Sequence, residues 1–258
     1  MHILVSVKHV IDSTEIRVDK KSGELILRGL PTKINDYDKS AIEEAVKIKK
    51  EFGGEISLIS IGPKDAIKTL KEALAMGADK AYLFTISANQ ALDTKQTAHI
   101  LGKMVKKIGA FDIIMCGEVS EDGYNIQVGP RLAQNLNIPH IGYVTGITLN
   151  GSQIAAERTM EDTIESVHAN PPVLLTINSS INLPRLPTAI QIMKVQVNRI
   201  IQWNSGDLGI EEDIFENPGV KMLGYEIPTV ERKNILIEGG IGETTGKLVQ
   251  FLKEEGVL

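Results

Sequence analysis

The residues best placed to do chemistry lie in one polar stretch, Glu118 to Gln127, set between two apolar segments. Ser120, Asn125 and Gln127 offer side-chain hydrogen bonds, and Gly123 and Gly129 offer bare backbone. Ahead of it runs Phe111-Asp112-Ile113-Ile114-Met115-Cys116, with little polar alternation, as expected of a strand covered on both faces. Gly117 ends that strand. Behind it Leu132, Ala133 and Leu136 recur at helical spacing, with Pro130 near the helix start, where a missing N–H costs little. The order is strand, glycine-containing polar loop, helix. A helix N-terminus presents free N–H groups and a positive dipole end, so this order predicts an anion site. The loop is long for a strand-to-helix turn and rich in hydrogen-bonding groups, which favours phosphate over an ordinary connection.

Other chemistries find less support. A single cysteine, Cys116, excludes an internal disulfide framework and any multi-cysteine metal site; at a strand end it is expected to be packed rather than reactive. His2, His9, His99, His140 and His168 show no metal-ligand spacing. Asp93, Glu118, Glu121 and Asp122 have no nucleophile or metal cluster beside them, so capping and loop roles are expected for most. Gly239 to Lys247 resembles a P-loop only superficially: Ile241 stands where a glycine is required and Leu248 where a hydroxyl should bind magnesium. The dinucleotide fingerprint after the first strand is absent too, since Lys8-His9-Val10-Ile11 fills that turn. Lys+Arg 28 against Asp+Glu 33 gives a net charge of −5, which argues against nucleic acid and anionic membrane surfaces. No apolar stretch approaches a membrane span, and the opening residues read as a strand rather than a signal peptide. A soluble protein of a reducing, cytoplasmic compartment is expected.

The elements that would carry the loop alternate. His2 to Val7 is a first buried strand. Glu15 to Val18 and Glu24 to Leu27 read as a hairpin around Lys20-Lys21-Ser22-Gly23. Asn35-Asp36-Tyr37-Asp38 supplies N-cap chemistry for a helix with an Ala41, Ile42, Ala45, Val46 and Ile48 stripe. A strand over Glu55 to Ile61, a helix over Asp65 to Met76 and a strand over Ala81 to Phe84 follow. Asp93 caps the next helix, whose first turn carries Thr94 and Thr97. After Pro139, Tyr143 to Leu149 and Gln153 to Glu157 pair around Asn150-Gly151, a strong hairpin signal, and Val173 to Ile177 is a last core strand. From Gln196 to Val230 no regular core pattern is legible; Leu248, Phe251 and Leu252 mark a terminal helix. Such alternation predicts an α/β fold, a doubly wound, mostly parallel sheet.

Several stretches together resemble the electron-transfer flavoprotein β subunit (the FixA-like family). They are ILVSVKHVIDSTEIRVD, against the family's VxVKxVPD opening; INDYDKSAIEEAVKIK; ISIGPKDAIKTLKEALAMGADKA; and GEVSEDGYNIQVGPRLAQNLNIPH. The Pro-rich segment ending in Ile192-Met193-Lys194 resembles that family's partner-recognition loop. The matches span nearly the whole chain in the family's order. Ile11 departs from the usual proline.

The resemblance implies a Rossmann-like domain over 1–195, including the recognition loop near 182–195, and a C-terminal arm over 196–258 that wraps a larger α subunit carrying the electron-transferring FAD. It implies adenine-nucleotide contacts at Val7, Lys8 and His9, at Asn35 and Asp38, and along Gly117, Val119, Ser120, Asp122, Gly123, Asn125, Gln127, Val128 and Gly129. Most members hold structural AMP there; the electron-bifurcating branch holds a second FAD reduced by NADH. Ala91 to Ala98 resembles the A-D-T-x-x-T/S element of that branch. Asp93 as cap, with the hydroxyls of Thr94 and Thr97, suits a second phosphate, so FAD is favoured over AMP. Implied partners are the α subunit, a flavin dehydrogenase such as acyl-CoA dehydrogenase, and ferredoxin, flavodoxin or quinone oxidoreductase as further acceptors. In the recognition loop Leu186, Ala189, Ile192, Met193 and Lys194 would meet the dehydrogenase. Familiar members have a leucine anchor where this chain has Ala189, leaving the anchoring to Leu186 or the loop to a different partner.

Overall fold

A computed structural model describes residues 1–258 apart from 20, 21, 23, 89, 152 and 225–231. It divides into two compact units, Met1–Leu223 and Gly224–Leu258. The first opens with β1 (His2–Ser6) and the short strands β2 (His9–Ile11), β3 (Arg17–Val18), β4 (Leu25–Ile26) and β5 (Thr32–Ile34). Then α1 (Asp36–Phe52), β6 (Glu55–Gly62), α2 (Ala66–Met76), β7 (Lys80–Thr85), α3 (Thr94–Ile108), β8 (Ile113–Gly117) and α4 (Val128–Leu136) alternate. The hairpin strands β9 (His140–Asn150) and β10 (Gln153–Thr159), β11 (Ile164–Ala169) and β12 (Val173–Ile177) follow. The unit closes with α5 (Ala189–Lys194), β13 (Ile200–Trp203), α6 (Ser205–Leu208) and α7 (Asp213–Glu216).

Among the described residues the main sheet has the order β11-β10-β9-β12-β8-β1-β6-β7-β13. From β9 to β13 in that order every pairing is parallel; β10 is antiparallel to both β9 and β11. The two-residue period of the strands sorts their side chains onto two helical layers. Ile3 and Val5 point into a core shared with Ile42 of α1 and Leu70 of α2, whereas Leu4 points into one shared with Met104 of α3 and Leu132 of α4. Each such fully buried aliphatic side chain contributes about 1.5–3 kcal/mol. The chain winds outward from β1 through α1 and α2 to β7, then returns through α3 to β8 on the other side of β1. The strand order therefore reverses between β1 and β8. A crevice opens at the C-terminal ends of strands at such a reversal, and the Glu118–Gln127 loop starts there.

Two readings from sequence change. Ser13–Glu15 is a 3₁₀ turn, so the hairpin strand starts at Arg17, and Lys20, Lys21 and Gly23 of its turn lie outside the described residues. The stretch after Gln196 does contribute to the core: Ile200–Trp203 pairs in parallel with Ala81–Phe84, and Trp203 stacks on Tyr82 with ring centroids 4.7 Å apart. Its remaining part from 225 to 230 lies outside the described residues.

The second unit contains α8 (Ile241–Glu254), entered through Gly240, with Leu248 and Val249 exposed and Phe251 and Leu252 half-buried. Among the described residues no helix is long and apolar enough to cross a membrane, and no group of His, Cys, Asp and Glu side chains is arranged to hold a metal ion.

Candidate functional site

Asp38 fastens the two sides of the crevice together. Its Oδ2 accepts from the Lys8 backbone N–H at 2.7 Å and its Oδ1 from the Gly117 N–H at 3.0 Å. It bridges the residues just after β1 to the last residue of β8. Gly117 has no room for a side chain, because a Cβ there would stand 2.4 Å from Asp38 Oδ1. Burial pushes the Asp38 carboxyl up to about 7, against the pull of the Lys8 N–H, Asn35 and the Gly117 N–H.

Asn35 occupies the N-cap position of α1, but its side chain makes no cap bond. It reaches across to the loop instead: Nδ2 donates to the Val119 carbonyl at 2.9 Å, and Oδ1 accepts from the Glu121 N–H at 3.1 Å. The helix start is covered electrostatically by Asp36, which Lys33 and Lys39 each approach at 2.8 Å. Burial opposes ionisation of Asp36, yet these lysines hold its carboxyl well below the usual range. Lys33 also pairs with Glu121 at 3.0 Å, a further tie on the loop. Asn35 and Asp38 are thus almost wholly enclosed, at 1% and 5% exposure, and spend their polar atoms on backbone partners. Val7 is buried, and His9 is half-buried with Nδ1 2.6 Å from Thr69 Oγ1. Lys8 is the exposed cation at this rim, 2.7 Å from Asp122 Oδ1 and 3.4 Å from Ser120 Oγ.

The loop itself departs from ordinary backbone geometry. Tyr124 and Ile126 have φ of 49° and 55°. A left-handed conformation is uncommon outside glycine and exceptional for a β-branched residue, so Ile126 marks stored strain. Among the described residues the N–H groups of Asn125, Ile126, Gln127, Val128 and Gly129 find no acceptor within the chain. A run of unpaired amides leading into a helix N-terminus is an anion cradle. Gly129 lets α4 approach the sheet: a Cβ there would lie 2.3 Å from Thr176 Cγ2.

The start of α3 lies beside this cradle. Asp93 caps α3, as read from sequence, and Gln96 completes a capping box with it. Its other oxygen accepts from the backbone of Gly219 and Val220, a contact that sequence pattern does not announce. Burial works against ionisation of Asp93, but these N–H donors hold its pKa below the usual range. Thr94 Oγ1 donates to Gln127 Oε1 at 2.9 Å, whereas Thr97 Oγ1 turns back to the Asp93 carbonyl at 2.8 Å. Cys116 is buried, and burial raises its thiol pKa, so it is inert packing.

Away from the crevice, the segment 182–195 displays apolar side chains to solvent. Leu186 and Met193 are exposed, Ala189 and Lys194 also, and Ile192 is half-buried. Leu183 and Ile190 are exposed as well and were not singled out from sequence; their spacing with Leu186 and Met193 is the signal that marks them.

Fold and site together define a Rossmann-like, doubly wound α/β chain with a loop of amides, unpaired among the described residues, at its strand-order reversal. The sequence matches the family described as electron transfer flavoprotein domain over residues 23–207. Electron transfer flavoprotein subunit beta of Thermoanaerobacterium thermosaccharolyticum is 37% identical over 261 residues, covering 100% of both chains. That of Clostridium acetobutylicum is 35% identical over 260 residues, covering 99% of each. The caffeyl-CoA reductase-Etf complex subunit CarD of Acetobacterium woodii is 33% identical over 262 residues, again covering 100% of both. The chain belongs to the electron transfer flavoprotein family, in its β-subunit (FixA-like) group, and its function is electron transfer.

Proposed function

We propose that this chain binds an adenine nucleotide, FAD in preference to AMP, in the crevice between β1 and β8, and works as one half of a heterodimer with an α subunit. The observation that carries the nucleotide is the run of amides from Asn125 to Gly129, unpaired among the described residues, in a loop with Tyr124 and Ile126 in the left-handed region. Phosphate accepts such N–H groups, and Lys8 stands at the rim with an exposed positive charge beside Asp122. Asn35 and Asp38 hold the cradle from beneath. FAD is favoured because the Thr94–Gln127 hydrogen bond sets a second helix start, that of α3, beside the first, and FAD has two phosphates to place. FAD bound here would supply hydride acceptance from NADH and release of electrons one at a time; the protein's share is to bind, orient and insulate it.

The opposing observation is that Thr97 Oγ1 is already satisfied by the Asp93 carbonyl. That favours a plain helix start and a single phosphate, with structural AMP and one redox-active FAD in the α subunit.

Of residues 196–258, the part up to Leu223 packs with the first unit, and 224–258 serve as the arm toward the α subunit; 182–195 serve as the docking segment for a flavin dehydrogenase. The relative named as part of a caffeyl-CoA reductase complex supports a partner that acts on coenzyme A thioesters. Ferredoxin, flavodoxin or quinone oxidoreductase fit as acceptors if the flavin bifurcates electrons. The test is nucleotide release from the co-expressed complex, with FAD and AMP quantified per protein. Two FAD and no AMP support the redox site. One FAD and one AMP refute bifurcation, and no nucleotide in this subunit refutes the cradle.

A further inference from the structure

We propose that the Arg185–Glu43 ion pair is a positioning device that holds the apolar docking segment in register on α1. This rests on the docking reading of 182–195. Leu183, Leu186, Ile190 and Met193 are 92%, 78%, 61% and 73% exposed. Two polar side chains of the same segment, Asn182 and Arg185, turn the other way, onto α1. Arg185 Nε and Nη2 meet the two oxygens of Glu43 at 2.6 and 2.7 Å, and the Arg185 backbone N–H reaches Glu43 Oε2 at 3.2 Å. Asn182 Nδ2 donates to the Ser40 carbonyl at 2.9 Å and to Glu44 Oε2 at 3.0 Å. The Glu43 side chain is only 9% exposed. The usual sorting of apolar in and charged out is inverted here.

The inversion has a physical reading. Pro184 and Pro187 have no N–H to give, so this segment has fewer backbone hydrogen bonds with which to fix itself to a neighbour. A planar, bidentate guanidinium–carboxylate pair supplies a fixed geometry in their place. It leaves the apolar row free for a partner's surface, where preorganised side chains bind without an ordering cost. α1 carries Asn35 and Asp38 at its start, holding the nucleotide loop, and Ser40, Glu43 and Glu44 a turn or two later, holding this segment. One helix therefore references both the cradle and the docking face. Electron transfer falls steeply with distance, so a shared reference body is what a carrier needs.

The test uses the co-expressed αβ complex with an acyl-CoA dehydrogenase as probe. Arg185→Gln and Glu43→Gln should each raise the KM for the flavoprotein about tenfold, the loss expected for one charge-assisted contact. kcat and nucleotide content should stay unchanged. Amide hydrogen exchange over 185–194 should quicken in both variants. Arg185→Lys, and the exchanged pair Arg185→Glu with Glu43→Arg, should recover part of the affinity. Leu186→Ala with Met193→Ala should raise KM without quickening exchange. If that apolar variant raises KM while Arg185→Gln changes neither KM nor exchange, the clamp is overturned and the docking segment stands. Faster exchange in Arg185→Gln at unchanged KM also overturns the clamp as a docking device. An apolar variant with unchanged KM removes the docking reading and the clamp with it.

Discussion

Thr94 at the start of α3 donates its hydroxyl proton to Gln127 Oε1 at 2.9 Å, joining residues 33 apart in sequence at the mouth of one crevice. Gln127 Oε1 also accepts from Arg131 Nε at 3.2 Å and Nη2 at 3.0 Å, so the entry to α4 is braced from two sides. Thr94→Val keeps the shape and removes the donor. With a second phosphate at α3, this variant should retain FAD about tenfold more weakly, as expected for one lost hydrogen bond to a charged group. Chromatography of released nucleotides reads this directly. Unchanged flavin with only a lowered unfolding midpoint would favour the AMP site.

Gly129→Ala should destabilise the chain by about 2 kcal/mol, because its Cβ would meet Thr176 Cγ2 at 2.3 Å in a buried seam. Thr176→Ser removes that methyl group and should restore part of the loss. Urea midpoints of the two single variants and the double variant decide it: additive losses would mean that α4 does not owe its position to this contact.

Asp38 makes stability depend on pH in an unusual direction. Its carboxyl rises from an ordinary 3.8 to about 7 in the folded chain. Between those values the folded state keeps a proton that the unfolded chain has released. Unfolding free energy from this group is therefore full below about pH 4, falls as pH rises toward about 7, and is flat above. Asp38→Asn should remove that fall while lowering stability overall, since the Lys8 and Gly117 N–H groups meet different oxygens and the amide NH2 that replaces one of them cannot accept. Equal slopes for wild type and variant would reject the assignment.

Lys8 and Asp122 are both partly exposed, at 47% and 38%, so their pairing contributes little to stability, on the order of 0.5 kcal/mol. Its interest is competition. Asp122 neutralises the cation that a phosphate would use, so Asp122→Asn should tighten AMP binding or leave it level. Lys8→Met should weaken binding and flatten its salt dependence. Calorimetric titrations at low and high salt separate these outcomes; a weakened Asp122→Asn would place that carboxylate among the ligand's own contacts.

The main helices and the hairpin at Asn150-Gly151 were legible because hydrophobic period and turn chemistry are local signals. The Asp93 cap was legible for the same reason, though the reciprocal bond from Gln96 was not read. What sequence hid depends on distant partners. Asn35 looks like a cap and has the right position, yet its side chain serves residues about 85 further on, at Val119 and Glu121. Ile200–Trp203 is too short to read as a strand until β7 offers it an edge. Ile126 at φ 55° contradicts the preference of a β-branched residue, and no propensity argument would place it there. Arg185 and Glu43 lie 142 residues apart, beyond the reach of any periodicity.

The chain through 182–195 leaves the sheet at β12 and rejoins it at β13, five strand positions away, passing over the side of α1 and α2. At about 4.8 Å per strand its ends are roughly 24 Å apart. It is a strap between two posts, buckled to α1 at Asn182 and Arg185. Residues between the posts are free to be rewritten while the posts, the buckle and the crevice stay as they are. If this strap is the docking segment, changing its partner becomes a matter of replacing an insert, and the crevice need not be redesigned to follow it.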